Sequence, residues 1–305
     1  MSGFNRRSTA EQVSEGVDLA GKNALVTGAN TGLGIETTRV LALRGANVTM
    51  ACRNIDKANA AREKIIRDSD GAIEAEQLDI LILDLNNLQR VRESAAEYNQ
   101  WQRPLNLLIN NAGVMIPMER RTDDGFEAHF GINHLGHFLF TNLIIDRLKA
   151  ANGARVVAVS SAAMALATLD ENFSDLNWKD RPFKGLASYG DSKLMNLMFA
   201  KELTRRFKDS KIVANALHPG IIPTELARDQ NFFGMLLGIF ALPFMRSVKQ
   251  GAASTVYAAT APEYATKGGC YFINCAEREP EHKFALNDKG CEKLWLISEE
   301  LTSLT

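Results

Sequence analysis

Six short runs of apolar, β-favouring residues recur along the chain, and stretches of helical spacing fill the gaps between them. The runs are Asn23–Thr27 (NALVT), Ala46–Ala51 (ANVTMA), Leu78–Leu85 (LDILILDL), Leu105–Asn110 (LNLLIN), Arg155–Ser160 (RVVAVS) and Ile212–Leu217 (IVANAL). Their near-continuous apolar character implies strands buried on both faces, as in a parallel sheet covered by helices. Helical patterns occupy Leu33–Arg44, Ile55–Arg67, Leu88–Gln100, Asp124–Lys149, Tyr189–Phe207 and Ser247–Thr260, and Gly45 is placed to stop the first of them. Strand and helix in alternation predict βαβ units. Tyr271–Ile273 is a candidate for a short further strand. The expected fold is α/β: a doubly wound parallel sheet of six to seven strands with helices on both faces. No repeat, low-complexity tract or linker interrupts the pattern between residue 20 and about 275. Residues 1–305 therefore read as one domain, with 1–19 an N-terminal extension and 225–246 a lid over the substrate.

Composition narrows the function classes. Apolar content of 46%, charged content of 23% and a net charge of −1 describe an ordinary globular protein with no pull toward nucleic acid. Cys52, Cys270, Cys275 and Cys291 form no CxxC pair and have no partnering His spacing, so they read as reduced thiols and no metal site is expected. Residues 1–20 are polar, which argues against a secretory signal and for a cytoplasmic protein. The uncharged run Phe232–Met245, broken by Gly234, Gly238 and Pro243, falls short of the roughly 20 residues that span a bilayer. It reads in three ways: a lid over an apolar pocket, a helix and loop covering the core, or a contact with a membrane surface.

The first run passes directly into TGANTGLG and then into a helical pattern. A tight strand-to-helix turn needs residues without Cβ where the backbone approaches a pyrophosphate, and Gly28, Gly32 and Gly34 provide them. Asn30, Thr31 and Leu33 fall in the same phosphate-facing turn. The spacing is G-x-x-x-G-x-G, not the commoner G-x-G-x-x-G. This points to a Rossmann-type dinucleotide site. At the end of the second strand, where NAD enzymes usually carry an acid, the chain has Cys52 and then Arg53. A guanidinium in place of a carboxylate suits a 2′-phosphate, so NADP(H) is the expected cofactor. The plain alternative is that Arg53 sits exposed at the start of the next helix. Asp84 and Leu85, closing the third strand, are placed to meet the adenine, although Asp84 or Asn86 suits a helix N-cap equally. Asn110, Asn111, Ala112 and Gly113 end the fourth strand, where small residues let a cofactor lie across and asparagine amides tie loops together.

Carbonyl reduction by a nicotinamide needs a proton donor at the oxygen. Tyr189 and Lys193 stand one helical turn apart in YGDSK and share a face. Free tyrosine titrates near 10. An ammonium roughly 4 Å away would favour phenolate by about 4 kcal/mol, or about three pK units, at an effective dielectric of about 20. With five tyrosines in the chain, Y-x-x-x-K alone is weak; the upstream strand strengthens it. RVVAVSSAAM brings Ser160 and Ser161 to a strand's C-terminal end, where one hydroxyl can meet the substrate oxygen. Asn133 lies in a helical run that its amide does not favour, and it reads as functional or as a satisfied core amide. His134 and His137 read as packing or surface residues. Met164, Leu166 and Leu169 suggest an apolar substrate, or ordinary loop packing.

Together TGANTGLG, NNAG, the Asn133 helix, VSS, YGDSK and HPG resemble the short-chain dehydrogenase/reductase family, in its order and approximate spacing over most of the chain. The resemblance implies Tyr189 as acid/base, Lys193 as its activator, Ser161 rather than Ser160 as the substrate-orienting hydroxyl, and Asn133 as a relay linking Lys193 to solvent. It also implies that His218, Pro219, Gly220, Ile222 and Thr224 meet the nicotinamide carboxamide. ACRN, NHLGHF, HPG and QGAASTVYAA are similar to the branch holding retinol dehydrogenases and the WW-domain oxidoreductase, without its WW modules, and STAEQVSEGVDLAGK is similar to plant members. The implied activity is NADP(H)-dependent interconversion of a hydroxyl and a carbonyl on an apolar substrate. A homodimer or homotetramer packed through the Asn133 and Tyr189 helices is implied too. Two other functions fit parts of the pattern: an NADP(H)-binding, redox-sensing interaction protein with little turnover, and a sugar-nucleotide epimerase or dehydratase. The latter usually has G-x-x-G-x-x-G and a larger C-terminal domain.

Overall fold

A computed structural model describes residues 3–222 and 245–304. Thr224, and the expected lid apart from Met245 and Arg246, lie outside the described residues.

Eight strands form one sheet: β1 (Asn23–Thr27), β2 (Asn47–Cys52), β3 (Leu78–Ile82), β4 (Leu107–Asn110), β5 (Arg155–Val159), β6 (Val213–His218), β7 (Tyr271–Ile273) and β8 (Ala276–Arg278). Their order is β3-β2-β1-β4-β5-β6-β7-β8. All neighbours run parallel except β8, which pairs antiparallel with β7. The expected α/β architecture is present, with one strand more than anticipated. The order reverses between β1 and β4, so the chain leaves these two strands in opposite directions and opens a crevice at their C-terminal ends, where α/β sheets take ligands.

The described helices are α1 (Ala10–Val13), α2 (Gly32–Leu43), α3 (Ile55–Arg67), α4 (Leu88–Gln100), α5 (Gly136–Leu143), α6 (Ile145–Ala150), α7 (Gly185–Arg206), α8 (Val248–Thr260) and α9 (Asp288–Leu301). Asn54 and Asn87 cap α3 and α4 by accepting from the Lys57 and Arg90 amides, which fixes both starts where the helical spacing begins. The single helix expected over Asp124–Lys149 is broken. It opens as a π-helical turn, His129–Leu135, continues as α5, and restarts as α6. Gly136, where the π turn passes into α5, lies close against Leu85: a Cβ there would come within 3.0 Å of the Leu85 carbonyl oxygen.

Two apolar layers sandwich the sheet. α4, α5, α7 and α9 cover one face, and α2, α3 and α8 with the N-terminal extension cover the other. The C-terminal helix was not foreseen. Its Trp295 meets Phe138 of α5 at 4.9 Å and stacks on Phe199 of α7 at 5.8 Å, while Ser298 Oγ lies 2.9 Å from His134 Nε2. The chain's own α9 thus covers the α5 and α7 faces. Among the described residues no helix is long and apolar enough to cross a membrane.

Candidate active site

The turn from β1 into α2 is built for close approach. Gly28 adopts φ +65°, and a Cβ on Gly34 would lie 2.1 Å from the Gly28 carbonyl oxygen, so no side chain is accommodated there. Thr31 occupies the N-cap in an extended conformation without a side-chain capping bond, and the first turn of α2 holds no acid. The leading amides of α2 therefore retain their capacity to bind an anion. Beneath the turn, the Cys52 thiol receives the Ala29 and Asn30 amides, and burial pushes its pKa up to about 11. Next to it Arg53 is exposed and forms no hydrogen bond or ion pair with a described residue. The glycines and the leading amides of α2 fit a dinucleotide, and Arg53 stands exposed just before the Asn54 N-cap of α3.

Asp84 is partly buried and accepts from the Asn86 amide at 3.0 Å. Neither of them caps α4, since Asn87 does, so the N-cap alternative for this pair is set aside. Leu85 is buried beside Gly136. At the end of β4, the Asn111 and Ala112 amides both donate to Thr27 Oγ1 at 2.9 Å, and Asn111 Nδ2 donates to the Thr27 carbonyl at 2.7 Å. Asn110 Nδ2 donates to Thr141 Oγ1 at 3.0 Å. Thr27, which the sequence reading placed only as the end of the first strand, is the hub of this edge. Its Oγ1 also lies 2.9 Å from His137 Nε2, and His137 Nδ1 lies 3.1 Å from the Asn133 carbonyl oxygen. His134 and His137 are buried, and desolvation depresses their pKa values to about 3 and about 4; they serve as neutral packing and hydrogen-bonding groups.

β5 and α7 bring the expected chemical group together. The Ser160 hydroxyl donates to the Lys193 carbonyl at 2.6 Å and is thereby removed from the site. Ser161 caps a short 3-10 turn over Ala162–Leu166, and its hydroxyl reaches that of Tyr189, favouring the ionised phenol. Lys193 Nζ donates to the Val159 carbonyl at 3.0 Å and stands 5.5 Å from the centroid of the Tyr189 ring. A Cβ on Gly113 would meet Asn133 Oδ1 at 3.1 Å and Lys193 Nζ at 3.3 Å, so the NNAG backbone closes directly over the pair. Asn133, fully buried in the π turn, accepts the Val114 amide at 2.8 Å and donates to the Val114 carbonyl and Ser192 Oγ, both at 3.0 Å. Its side chain is committed to these partners, and its carbonyl faces His137.

The electrostatics differ from the sequence expectation. Burial pushes the Tyr189 pKa up to about 12, only partly offset by Ser161, where a fall of about three units was expected. Lys193 is itself so buried that desolvation lowers its pKa to about 8. The ammonium is directed at the Val159 carbonyl, and excluding water penalises both charged forms.

At the end of β6, His218 Nδ1 is buried without a hydrogen-bond partner among the described residues, and desolvation holds the ring's pKa down to about 4. Pro219 and Gly220 follow, Gly220 at φ +96° with Arg246 packed where a Cβ would stand. Arg246, missed in the sequence, ties the turn down: its amide donates to the Ile221 carbonyl at 2.9 Å and Nη1 to the Pro219 carbonyl at 3.3 Å. Ile222 packs over Gly251 of α8. Of the three apolar residues after Ser161, Met164 and Leu169 are buried in the core and Leu166 is exposed.

The model of the short chain dehydrogenase family matches residues 22–170. Mouse Retinol dehydrogenase 12 is 40% identical over 288 residues, covering 94% of this chain and 88% of that protein. The chain belongs to the short-chain dehydrogenase family. Chicken WW domain-containing oxidoreductase is 36% identical over 304 residues, covering 98% of this chain and 72% of its own length. Among solved structures, an uncharacterized protein from Mycobacterium paratuberculosis superposes with a TM-score of 0.74 at 33% identity, covering 95% of this chain and 97% of the other. This short-chain dehydrogenase is thus an oxidoreductase of the branch that the sequence motifs pointed to.

Proposed function

We propose that this short-chain dehydrogenase uses NADP(H) to interconvert a hydroxyl and a carbonyl on an apolar substrate. The carrying observation is the convergence of the Ser161 and Tyr189 hydroxyls beside the buried Lys193 ammonium, at the sheet edge where the glycine turn opens. When bound, the cofactor supplies or takes the hydride.

The chain's residues do the rest. Gly28, Gly32 and Gly34 admit the pyrophosphate to the amides of α2, with Asn30, Thr31 and Leu33 alongside, and Arg53 pairs with the 2′-phosphate. Asp84 and Leu85 flank the adenine, while Asn111, Ala112 and Gly113 form the floor. Pro219, Gly220 and Ile222 shape the carboxamide end. Ser161 orients the substrate oxygen. Tyr189, held neutral by its high pKa, donates its proton to a carbonyl oxygen, and Lys193 stabilises the phenolate that results. Asn133 fixes Val114 and the start of the proton exit. One continuous sheet from β1 to β8 supports reading residues 1–305 as a single domain. Relatives named retinol dehydrogenases make an apolar aldehyde such as retinal the first substrate to try. An oligomer through the Asn133 and Tyr189 helices forms no part of this proposal, because α9 covers those faces.

Two variants test the reading. Tyr189→Phe should abolish NADPH-dependent reduction of apolar carbonyls yet keep NADPH binding by fluorescence; retained turnover would refute it. Arg53→Ala removes a charge-assisted phosphate contact of about 1.5–3 kcal/mol, so KM for NADPH should rise roughly 10- to 100-fold while that for NADH stays put. Equal effects on the two cofactors would count against the phosphate contact.

A further inference from the structure

We propose that His129, braced by Glu127, is a positioning residue that locks the Val114–Pro117 loop against the helix carrying Tyr189 and so sets where substrate meets the phenol. The proposal rests on the oxidoreductase reading above and adds a residue pair that it does not use.

Both side chains are buried, His129 completely. A carboxylate so placed is costly unless partnered. Glu127 Oε2 accepts the Phe130 amide at 2.9 Å, Oε1 lies 2.9 Å from His129 Nδ1, and the residue's own amide donates to Asn177 Oδ1 at 2.6 Å. The adjoining His129 and the Phe130 amide hold the carboxyl below its ordinary range in spite of burial. On the other side of the ring, the Ile116 amide donates to His129 Nε2 at 2.8 Å. That bond requires a bare Nε2, so the proton sits on Nδ1 and is directed at Ser188 Oγ at 3.1 Å, with the Glu127 carboxylate close beside it.

One imidazole therefore touches three segments of the cleft. It holds the loop after β4 through Ile116, and it contacts α7 through Ser188 and, edge to face at 5.8 Å, the ring of Tyr189. Its face lies parallel to Phe183, in the loop before α7, with centroids 6.4 Å apart. Little slack remains between loop and helix: a Cβ on Gly185 would stand 2.8 Å from the Ile116 carbonyl oxygen and 2.9 Å from that of Pro117. The wide π turn explains the pairing. It presents His129 and Asn133 to the same strip of backbone, Asn133 clamping Val114 and His129 clamping Ile116. A purely apolar filler would pack the space but leave the Ile116 amide without its acceptor.

The test separates the two nitrogens. His129→Gln retains an acceptor near the Nε2 position, whereas His129→Asn retains a polar group only near Nδ1. In the full chain with NADPH and retinal, the Asn variant should lose kcat by roughly a hundredfold, the scale of an ångström-sized misplacement, with NADPH affinity unchanged. The Gln variant should recover most of that rate. Hydrogen exchange, read without turnover, should be faster at the Ile116 amide in the Asn variant and near wild type in the Gln variant. Equal losses in the two variants, or an Ile116 amide indifferent to His129→Asn, would overturn the proposal. Should the Asn variant not fold, nitrogen-15 shifts of His129 in the wild-type protein decide: protonated Nδ1 with bare Nε2 supports it, and the opposite tautomer overturns it. A wild-type protein that reduces no carbonyl would instead sink the oxidoreductase reading, and the exchange and tautomer results would still judge this one.

Discussion

Replacing Lys193 with Met removes an ammonium that the folded chain holds almost wholly out of water, and the variant should be more stable than the parent at neutral pH. Desolvation brings the pKa from an ordinary 10.5 to about 8. A gap of that size corresponds to about 3 kcal/mol by which the fold disfavours the charged amine. Against it stands the hydrogen bond from Nζ to the Val159 carbonyl, worth about 1.5–3 kcal/mol for a charged donor. The carbonyl is not orphaned by the substitution, because Asn196 Nδ2 also donates to it at 3.2 Å. The net gain at neutral pH should be about 1 kcal/mol, or about 2–4 °C in melting temperature. The pH dependence is the sharper signature. Between about pH 8 and the unfolded value of 10.5 the unfolded chain keeps the proton that the folded chain has lost, so wild-type stability rises through this window by about 1.4 kcal/mol per pH unit from this group. The variant lacks that rise. Its advantage should shrink above pH 8 and reverse near pH 9, while contributions from other groups cancel in the difference. Urea unfolding of both proteins without cofactor, at neutral pH and near pH 10, measures it. A stability difference that does not change with pH would refute the reasoning.

Gly34→Ala places a Cβ 2.1 Å from the Gly28 carbonyl oxygen and should weaken NADPH binding by about 10- to 100-fold, the equivalent of about 1–3 kcal/mol of overpacking, as read by fluorescence titration. Asp191, buried between the Thr168 amide and Arg181, has its pKa raised by desolvation from 3.8 to about 6. Its contribution to stability is largest below about pH 4 and is lost as pH rises through 6, so Asp191→Asn should gain on wild type by about 3 kcal/mol across that window in chemical melts. Light scattering should find no dimer joined through α5 and α7, since Trp295 and Ser298 of α9 occupy those faces; a dimer dissociated by substitutions on α7 would contradict this.

What the sequence made legible follows from how local each signal is. β1, α3 and α4 end where expected because apolar burial and an Asn cap act within a few residues. β8 was hidden because its three residues are largely exposed and carry no alternation, and the turn before it uses Asn274 and Cys275 at positive φ with no glycine to announce it. The close approach of Gly136 to Leu85 joins residues distant in sequence, so no periodicity within Asp124–Lys149 could reveal it. The i, i+4 spacing of Tyr189 and Lys193 correctly places both on one helical face. It carries no information about the water excluded around them, and that exclusion reverses the expected shift of the phenol. The joint role of Thr27 and His137 was illegible for a similar reason: a strand-ending Thr and a helical His become a hub only when β1, β4 and the π turn converge.

α7 shows why the site residues stand apart from the core in character. Tyr189, Ser192, Lys193 and Asn196 fall on one helical stripe, the spacing by which a soluble helix ordinarily presents apolar residues to its core. Here the stripe is polar, and three of the four are buried. Each polar atom that is removed from water finds a partner on the sheet edge or the π turn: Ser192 with Asn133, and Lys193 and Asn196 with the Val159 carbonyl. The Lys193 carbonyl takes the Ser160 hydroxyl as well, which pins the helix to β5 beside Ser161. A helix free to slide would satisfy none of these bonds, and the Ser161 and Tyr189 hydroxyls would lose register. The stability withheld by burying an ammonium is recovered elsewhere, in the Phe138–Phe199–Trp295 cluster on the far side of the same helix. One face of α7 anchors the fold so that the other can hold a charge where the chemistry needs it.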